Sequence, residues 1–503
     1  MFSVDRLEVP RAPDGEPLVS EHDWQATPVR VQRVLVAVVA VGGQLPALHQ
    51  QVAALAERVR ELEARLGRDS SNSSRPPSSD PPWAGRGKRR PPAPPGSRRP
   101  GGQPGHSGHF RALVPPERVD AVVAHWPARC TGCAAPLAEG AGSAGDADYV
   151  AHQVTELPVL RAQVTEHRLH RVACATCGAT TRATLPRDVP AGAYGPRLQA
   201  AVATLSGGYR LSRRAVADLC DTLLEAPLSV GSVDALCQAT SAALAQPVAE
   251  AAATLPQAPV VHADETPWKQ GKTRPWLWVA VTALVSVFRI ATGRDRGVIQ
   301  ALIGEAYTGT LVTDRYSAYA WLDVAYRQVC WAHLNRDLQA LVDRGGPAAP
   351  LGKEALVVAH DLFTVWHQYR TGVLDRAALQ AALQPVEDAL AALLHAGQTN
   401  ADTQAAGLCR ALLRLWPALW TFAEVEGVEP TNNMAERALR PAVLWRKSSF
   451  GTQSDGGARF VERLLTVSAT CKQQGRSVLD YLTTVCTAAQ HGQTIPSLLP
   501  AAA

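Results

Sequence analysis

Residues 260–264 read Val260-Val261-His262-Ala263-Asp264, and residues 310–314 read Thr310-Leu311-Val312-Thr313-Asp314. Each is a short apolar run that ends on an aspartate, the pattern of a buried β-strand whose last side chain leaves the core. If the two strands are neighbours, both carboxylates stand at one sheet edge. Between them, Trp276 to Thr282 and Val285 to Ala291 read as two more strands joined by a tight connection. Residues 337–428 turn to a Leu/Ala-rich helical pattern, as though a helical block were inserted. After Pro430 a further helix carries a third carboxylate, Glu436, within Thr431-Asn432-Asn433-Met434-Ala435-Glu436-Arg437-Ala438-Leu439-Arg440. The texture over 256–340 and 429–490 is α/β.

Three carboxylates converging at a sheet edge suit two hard divalent cations, Mg²⁺ or Mn²⁺, because such ions prefer oxygen ligands. Two ions about 4 Å apart can activate an attacking hydroxyl and stabilise the leaving oxygen of a phosphodiester. Taken singly, each residue has a plainer reading: Asp264 and Asp314 can simply end a strand, and Glu436 can pair with Arg440 at i, i+4. The company is suggestive, however. Arg437, Arg440, Arg446, Lys447, Arg459 and Arg463 follow Glu436, interspersed with Trp445 and Phe450, and Arg and Lys beside a metal site suit a nucleic acid. Cys330-Trp331-Ala332-His333 invites a metal reading, but a lone C-x-x-H is a weak signal; His333 and Arg336 are expected to face substrate or support the site, with plain packing as the alternative.

Upstream, residues 186–255 read as all-helical. One helix follows Ser212 as N-cap and another starts near Ser229 or Ser232. The pair fits a helix-turn-helix or, more commonly, a structural hairpin. Residues 106–185 hold Cys130-x-x-Cys133 and Cys174-x-x-Cys177. Two such pairs can close four thiolates around one structural Zn²⁺, leaving no open position for water. The strand-like segments Gln153 to Leu160 and Ala162 to Val172 are expected to bring the pairs together. His106, His109 and His125 are less favoured as ligands.

Residues 68–105 are dominated by Ser, Pro, Gly and Arg and form a flexible basic linker. From Trp83 to Gly101 there are six basic residues (Arg86, Lys88, Arg89, Arg90, Arg98, Arg99) and no acidic one, a solvated tether or a clamp on phosphates. Before it, Leu48, Val52, Leu55, Val59, Leu62 and Leu66 recur at steps of four and three. This leucine-zipper-like helix over 48–67 is expected to dimerise, a helix packed on its own chain being the alternative. Residues 1–47 are expected to be a poorly structured leader, and 491–503 a C-terminal tail.

The bulk numbers agree with a multidomain intracellular protein. At 503 residues several domains are expected, and 46% hydrophobic residues allow a sizeable core. The net charge of +5 is modest. Ten cysteines, four of them in C-x-x-C pairs, suit a reducing compartment with one metal site rather than a disulfide framework. The apolar run Val34 to Val41 is far short of the roughly 20 residues that span a bilayer, so no membrane association is expected.

Taken in order, these motifs resemble the bacterial DDE transposases of the insertion-sequence-66 group. The likeness runs from about Leu48 to Leu482. It includes Asp69-Ser70-Ser71-Asn72-Ser73-Ser74-Arg75-Pro76-Pro77, Gly101-Gly102-Gln103-Pro104-Gly105-His106, His262-Ala263-Asp264-Glu265-Thr266, Asp314-Arg315-Tyr316-Ser317-Ala318-Tyr319, Cys330-Trp331-Ala332-His333-Leu334-Asn335-Arg336 and Asn432-Asn433-Met434-Ala435-Glu436-Arg437. The resemblance implies an RNase H-like catalytic core with a helical insertion over 341–428, and Asp264, Asp314 and Glu436 as catalytic metal ligands. It implies binding of terminal inverted repeats and target DNA, with a homodimer or higher oligomer, accessory proteins of the same element, and a nucleoid-associated place in the cytoplasm. Arg86, Lys88, Arg89, Arg90, His333, Arg336, Arg437, Arg440, Arg446 and Lys447 are the expected DNA-binding residues. Two rival expectations are a catalytically dead DNA-binding regulator and an RNase H-like nuclease that cuts without joining.

Overall fold

The structure, a computed structural model, describes residues 8–11, 15–66, 112–138 and 149–500. The chain forms two compact units, Met1–Arg86 with Ala332–Leu413, and Gly87–Trp331 with Arg414–Ala503.

In the first unit, Ser20 caps helix α1 (Glu21–Ala26) by accepting from the Asp23 amide, and Trp24 is buried. Helix α2 (Val29–Leu66) then runs for 38 residues. The leader is therefore more ordered than its weak periodicity suggested, and the zipper-like helix starts well before Leu48. Leu48, Val52, Leu55, Val59 and Leu62 are all exposed, and so are Val31, Val34 and Val38. These valines continue the same steps of three and four toward the N-terminus. The basic linker, with Arg86, Lys88, Arg89 and Arg90, lies outside the described residues, as do His106 and His109.

Residues 112–185 correct a second expectation. Gln153 to Leu160 forms no strand, and from Ala162 to Val172 only the end does, in β1 (Arg171–Ala173). This pairs antiparallel with β2 (Thr180–Arg182) across the second C-x-x-C. The apolar side chains that read as strand faces pack on little among the described residues: Val154, Val159 and Val164 are each more than three-quarters exposed.

The helices α3 (Pro196–Ala203), α4 (Arg213–Leu224), α5 (Val230–Ala243) and α6 (Ala245–Ala253) follow. Ser212 and Ser229 cap α4 and α5 by accepting from the amides of Ala215 and Ser232. Glu225 sits in the left-handed region at the end of α4. These helices do not make a separate domain, because Ala203, Val216, Cys220, Val233 and Cys237 belong to the same apolar core as the sheet. Helix α5 has no Lys or Arg, and its Asp234 pairs with Arg213 at 3.1 Å. The structural-hairpin reading is the better one here, since a recognition helix must approach phosphates.

The sheet has five strands: β3 (Val260–Pro267), β4 (Trp276–Val281), β5 (Ser286–Ala291), β6 (Thr310–Thr313) after helix α7 (Arg296–Ile303), and β7 (Arg327–Val329). The order is β5-β4-β3-β6-β7. The β5-β4-β3 pairs are antiparallel and the β3-β6-β7 pairs parallel. The helical block of the first unit comes next, as α8 (Trp331–Arg344), α9 (Ala348–Arg370), α10 (Arg376–Gly397) and α11 (Thr403–Arg414). It has an interior of its own: Leu351, Leu362 and Trp366 of α9 are buried, as are Leu379, Leu383, Leu390 and Leu394 of α10.

The chain then completes the second unit with α12 (Trp416–Glu424), α13 (Asn433–Ser449), α14 (Asp455–Gln473) and α15 (Val478–Gln490). The final residues are not a loose tail. Leu498 is fully buried, and Tyr481 donates its hydroxyl to the Pro496 carbonyl.

Helix α14 closes the open edge of the sheet. The outward amides of β5 at Ser286, Phe288 and Ile290 donate to Thr470 Oγ1 (3.0 Å), Thr466 Oγ1 (3.0 Å) and Glu462 Oε1 (2.5 Å). Two strand residues advance about 6.6 Å and one helical turn about 5.4 Å, so steps of two on β5 match steps of four on α14. An edge that would otherwise template pairing with another chain is thereby satisfied. Thr466→Val keeps the shape but leaves the buried Phe288 amide without an acceptor. It is expected to cost about 1–3 kcal/mol, read as a lower urea midpoint with an unchanged m-value.

Candidate active site

The first two carboxylates are set by strand register. In the parallel pair, Val260 lies beside Thr310 and His262 beside Val312. The ladder ends there; Asp264 lies two residues beyond His262 on β3 and Asp314 two beyond Val312, directly after β6, close enough for the Asp314 charge to act on Asp264. Because strand side chains alternate, both point to the face of the sheet shared with His262. Both are half-buried. Asp264 Oδ1 accepts from the Glu265 amide at 2.9 Å, and Asp314 Oδ1 from the Tyr316 amide at 2.9 Å.

Glu436 is brought to them by Asn432. This asparagine is the N-cap residue of α13, yet its side chain makes no cap. It is fully buried and turned onto β3 instead. Asn432 Nδ2 donates to the Ala263 carbonyl at 2.7 Å, and its Oδ1 lies 3.2 Å from His262 Nδ1. An amide oxygen can only accept, so the His262 proton is on Nδ1. The Asn432 amide donates to Cys330 Sγ, directly after β7. One residue thus ties the strand bearing Asp264 and the end of β7 to the helix whose first turn bears Glu436. Burial holds His262 down at about 4, so the imidazole is neutral near pH 7.

The site is charged and crowded. The pKa of Asp264 is pushed well above the usual carboxylate range, first by burial, then by Glu265, Asp314 and, more weakly, Glu436. Like charges so placed, with only oxygen donors, make a donor set that fits hard divalent cations. The carboxylates spread wider than a one-ion cage. Among the described residues, no group of three ligand atoms within 4.8 Å of one another includes Asp264 or Asp314.

On the opposite face of β3, Glu265 is buried and held by two residues. Arg294 bonds it at 2.8 Å and 2.9 Å, and the Tyr319 hydroxyl donates to it at 2.5 Å. The Arg294 guanidinium is stacked between Trp276 and Tyr316, 4.3 Å and 3.9 Å from their ring centres. Tyr316 and Tyr319 follow Asp314 in sequence, so this cluster fastens the loop after the second carboxylate to the strand that bears the first. Sequence reading missed Glu265, Arg294, Tyr319, His262 and Asn432 as working parts. His262, Glu265, Tyr319 and Asn432 stand inside the motifs that carry the family resemblance, but nothing in those motifs gave them a role.

The expected DNA-binding residues separate into groups. Arg437, Arg440 and Lys447 are exposed on α13. Arg446 is half-buried and spends its guanidinium on the protein, donating to Thr266 Oγ1 (3.1 Å) and the Pro267 carbonyl (2.5 Å). His333 and Arg336 lie half-buried in the first turns of α8.

The four cysteines form two matching turns. The Ala134 amide donates to the Cys130 carbonyl and the Cys130 amide to that of Ala135; Gly178, Cys174 and Ala179 repeat this. Ala134 (φ 60°) and Gly178 (φ 70°) take the left-handed conformation that closes each turn. Amides of Cys133 and Gly132 lower the Cys130 thiol, and those of Cys177 and Thr176 bring Cys174 down to about 7. Ready thiolates in this arrangement suit zinc. The structure does not bring the two turns together: among the described residues, no group of three ligand atoms within 4.8 Å includes any of these cysteines.

No described helix is long and apolar enough to cross a membrane. Two uncharacterized proteins of Sinorhizobium fredii are similar to the chain. The protein y4qI is 27% identical over 274 residues, 48% of this chain and 50% of its own length. The protein y4hP is 26% identical over 389 residues, 70% of this chain and 68% of its own. The chain thus spans about half the length of the first relative. Residues 16–112 match a family of unknown function, DUF6444. The model of the transposase IS66 family matches residues 191–460, a stretch that holds all three carboxylates together with Asn432 and the sheet that sets them, and the chain belongs to that family.

Proposed function

We propose that the protein is a DNA transposase that cuts and rejoins DNA at Asp264, Asp314 and Glu436. The observation that supports this is the parallel pairing of β3 and β6, beyond whose paired ends Asp264 and Asp314 follow at the same end of the sheet, with the helix of Glu436 tied to β3 through Asn432. The strand order, three antiparallel then two parallel, supports the RNase H-like core that the family resemblance implies. Asp264, Asp314 and Glu436 would hold two Mg²⁺ or Mn²⁺ ions. When bound, such ions supply an activated hydroxyl and charge stabilisation at the leaving oxygen. The protein's part is to hold the carboxylates at fixed spacing and to orient the strand; Arg437, Arg440 and Lys447 would take phosphates near Glu436.

The partners follow: terminal inverted repeats, target DNA, and a second copy of this chain through the exposed seam of α2, with accessory proteins of the same element as further candidates. The test is a Mg²⁺-dependent assay on oligonucleotides from the DNA flanking the gene, scoring cutting and strand joining separately. Both products from the wild type, and neither from Glu436→Gln, are expected. Cutting without joining would favour a nuclease, and binding without either product a regulator.

The C-x-x-C turns are proposed to share one structural Zn²⁺. What supports this is a pair of matching turns, each with one amide-lowered thiol, in a segment whose described residues have no apolar interior. That is the circumstance in which a metal supplies the folding energy. Binding one Zn²⁺ would have to draw together the turns that the structure leaves apart. Purified protein should contain about one zinc per chain. Cys174→Ser should lose that zinc and the binding of element ends, while the melting of the catalytic core stays where it was. Unchanged end binding by this variant would remove the zinc role.

A further inference from the structure

The β3–β4 hairpin, Lys269-Gln270-Gly271-Lys272-Thr273-Arg274, leaves the sheet just after the strand that carries Asp264. Lys269, Lys272 and Arg274 are exposed on it. The hairpin is joined to the turn between α13 and α14. The Thr452 amide donates to the Lys269 carbonyl at 2.9 Å, and the Gly271 amide to the Thr452 carbonyl at 2.8 Å. Trp268 Nε1 donates to Thr452 Oγ1, and the Trp268 and Trp445 rings meet edge to face with centres 6.5 Å apart. The backbones are so close that a Cβ at Gly451 would collide with the Lys269 carbonyl oxygen. Hairpin and turn are one rigid piece.

On that piece Phe450 is 69% exposed and adopts φ 60°, ψ 19° as the C-cap of α13. Glycine or asparagine is the residue this left-handed position favours, and a bulky apolar side chain there is strained. Neither packing nor turn chemistry accounts for the phenyl ring; presentation to a partner does. Three cations on the same rigid piece make that partner a polyanion, and an exposed flat ring is a surface on which a nucleic acid base stacks.

The distances agree. Lys269 lies five residues of extended chain beyond Asp264, about 16 Å, and Phe450 lies 14 residues of helix beyond Glu436, about 21 Å. At 3.4 Å per base pair, both fall about five or six base pairs from the carboxylates. Resting on the DNA-transposase reading above, we propose that the hairpin and the α13–α14 turn form one DNA contact beside the active site. In it Lys269, Lys272 and Arg274 hold backbone phosphates and Phe450 stacks on an unpaired base.

The test uses the full chain and two probes, a blunt duplex and the same duplex with a single-stranded tail, with affinity followed by fluorescence anisotropy over a range of salt. Phe450→Gly should bind the tailed duplex roughly 5- to 150-fold more weakly, the range for one stacked base, and the blunt duplex as before. Its melting temperature should hold or rise, because glycine suits the left-handed position, so misfolding is not a competing explanation. Phe450→Trp should retain tailed binding. The variant with Lys269→Ala, Lys272→Ala and Arg274→Ala should flatten the slope of log K against log salt by close to three units, about one per lost phosphate contact. Wild-type affinity of Phe450→Gly for the tailed duplex, or an unchanged salt slope in the triple variant, overturns the proposal while leaving the transposase reading standing. Wild-type protein that binds neither probe overturns both.

Discussion

Asp264→Asn should lose DNA cutting and joining by roughly 10³-fold or more, the loss expected when a ligand holding catalytic metal is removed, and yet make the metal-free protein more stable. The second effect follows from the geometry. Asp264 is enclosed by protein and repelled by Glu265, Asp314 and Glu436, so its pKa in the fold lies above that in the unfolded chain. Below the unfolded value both states hold the proton and the group costs nothing. As pH rises past that value the unfolded chain ionises first, and metal-free stability falls until the pH passes the folded value. Asparagine carries no charge, so in EDTA the melting temperature of Asp264→Asn should exceed that of the wild type by an amount that grows from mild acid toward the folded pKa. Mg²⁺ should raise the wild type and hardly move the variant, since a ligand stabilises only the state that binds it. A wild type that is no less stable than Asp264→Asn in EDTA at neutral pH would show that the carboxylates are not crowded as described, and retained cleavage would remove Asp264 from the reaction.

Asn432→Ala should be the most damaging change outside the carboxylates. It deletes both side-chain bonds and leaves two buried partners, the Ala263 carbonyl and His262 Nδ1, without their hydrogen bonds. Each orphaned buried group costs about 1–3 kcal/mol, giving a loss of about 2–6 kcal/mol in urea unfolding. The neutral His262 cannot gain by protonating, because burial already holds it near 4. A change of ligand position should show apart from stability. Asn432→Asp keeps the shape and the acceptor toward His262 while losing the donor toward Ala263. It should fold, need more Mg²⁺ for half-maximal thermal stabilisation, and cleave more slowly. Wild-type Mg²⁺ dependence in folded Asn432→Asp would reduce Asn432 to a packing role.

Much of the site could be read from residue order. The runs ending at Asp264 and Asp314 are short, apolar and rich in β-branched residues, and such runs become buried strands almost wherever they are placed. Ser212 and Ser229 stand as caps because a side-chain oxygen can reach an amide three residues on, a purely local contact. The zinc-like turns are equally local. What failed was anything that depends on partners distant in sequence. Val154, Val159 and Val164 have strand propensity and, among the described residues, no sheet to join. Arg446 looked like a phosphate ligand by its company, but the fold brings Thr266 and Pro267 to it. The α5 helix, for which the structural-hairpin reading is favoured over DNA contact, gives its apolar face to the core.

The sequence by itself determined where strand-ending carboxylates stand, because periodicity and strand-ending charge are properties of neighbours along the chain. It determined the local caps and turns for the same reason. Tertiary structure alone decided that β3 and β6 pair in parallel so that Asp264 and Asp314 follow at one end of the sheet, that Asn432 abandons its helix to hold β3, and that Thr466, Thr470 and Glu462 close the edge of β5. Each of those joins residues 50 to nearly 190 positions apart, where hydrogen bonds form only after the core has brought two elements within 3 Å, and no pattern along the chain records that approach.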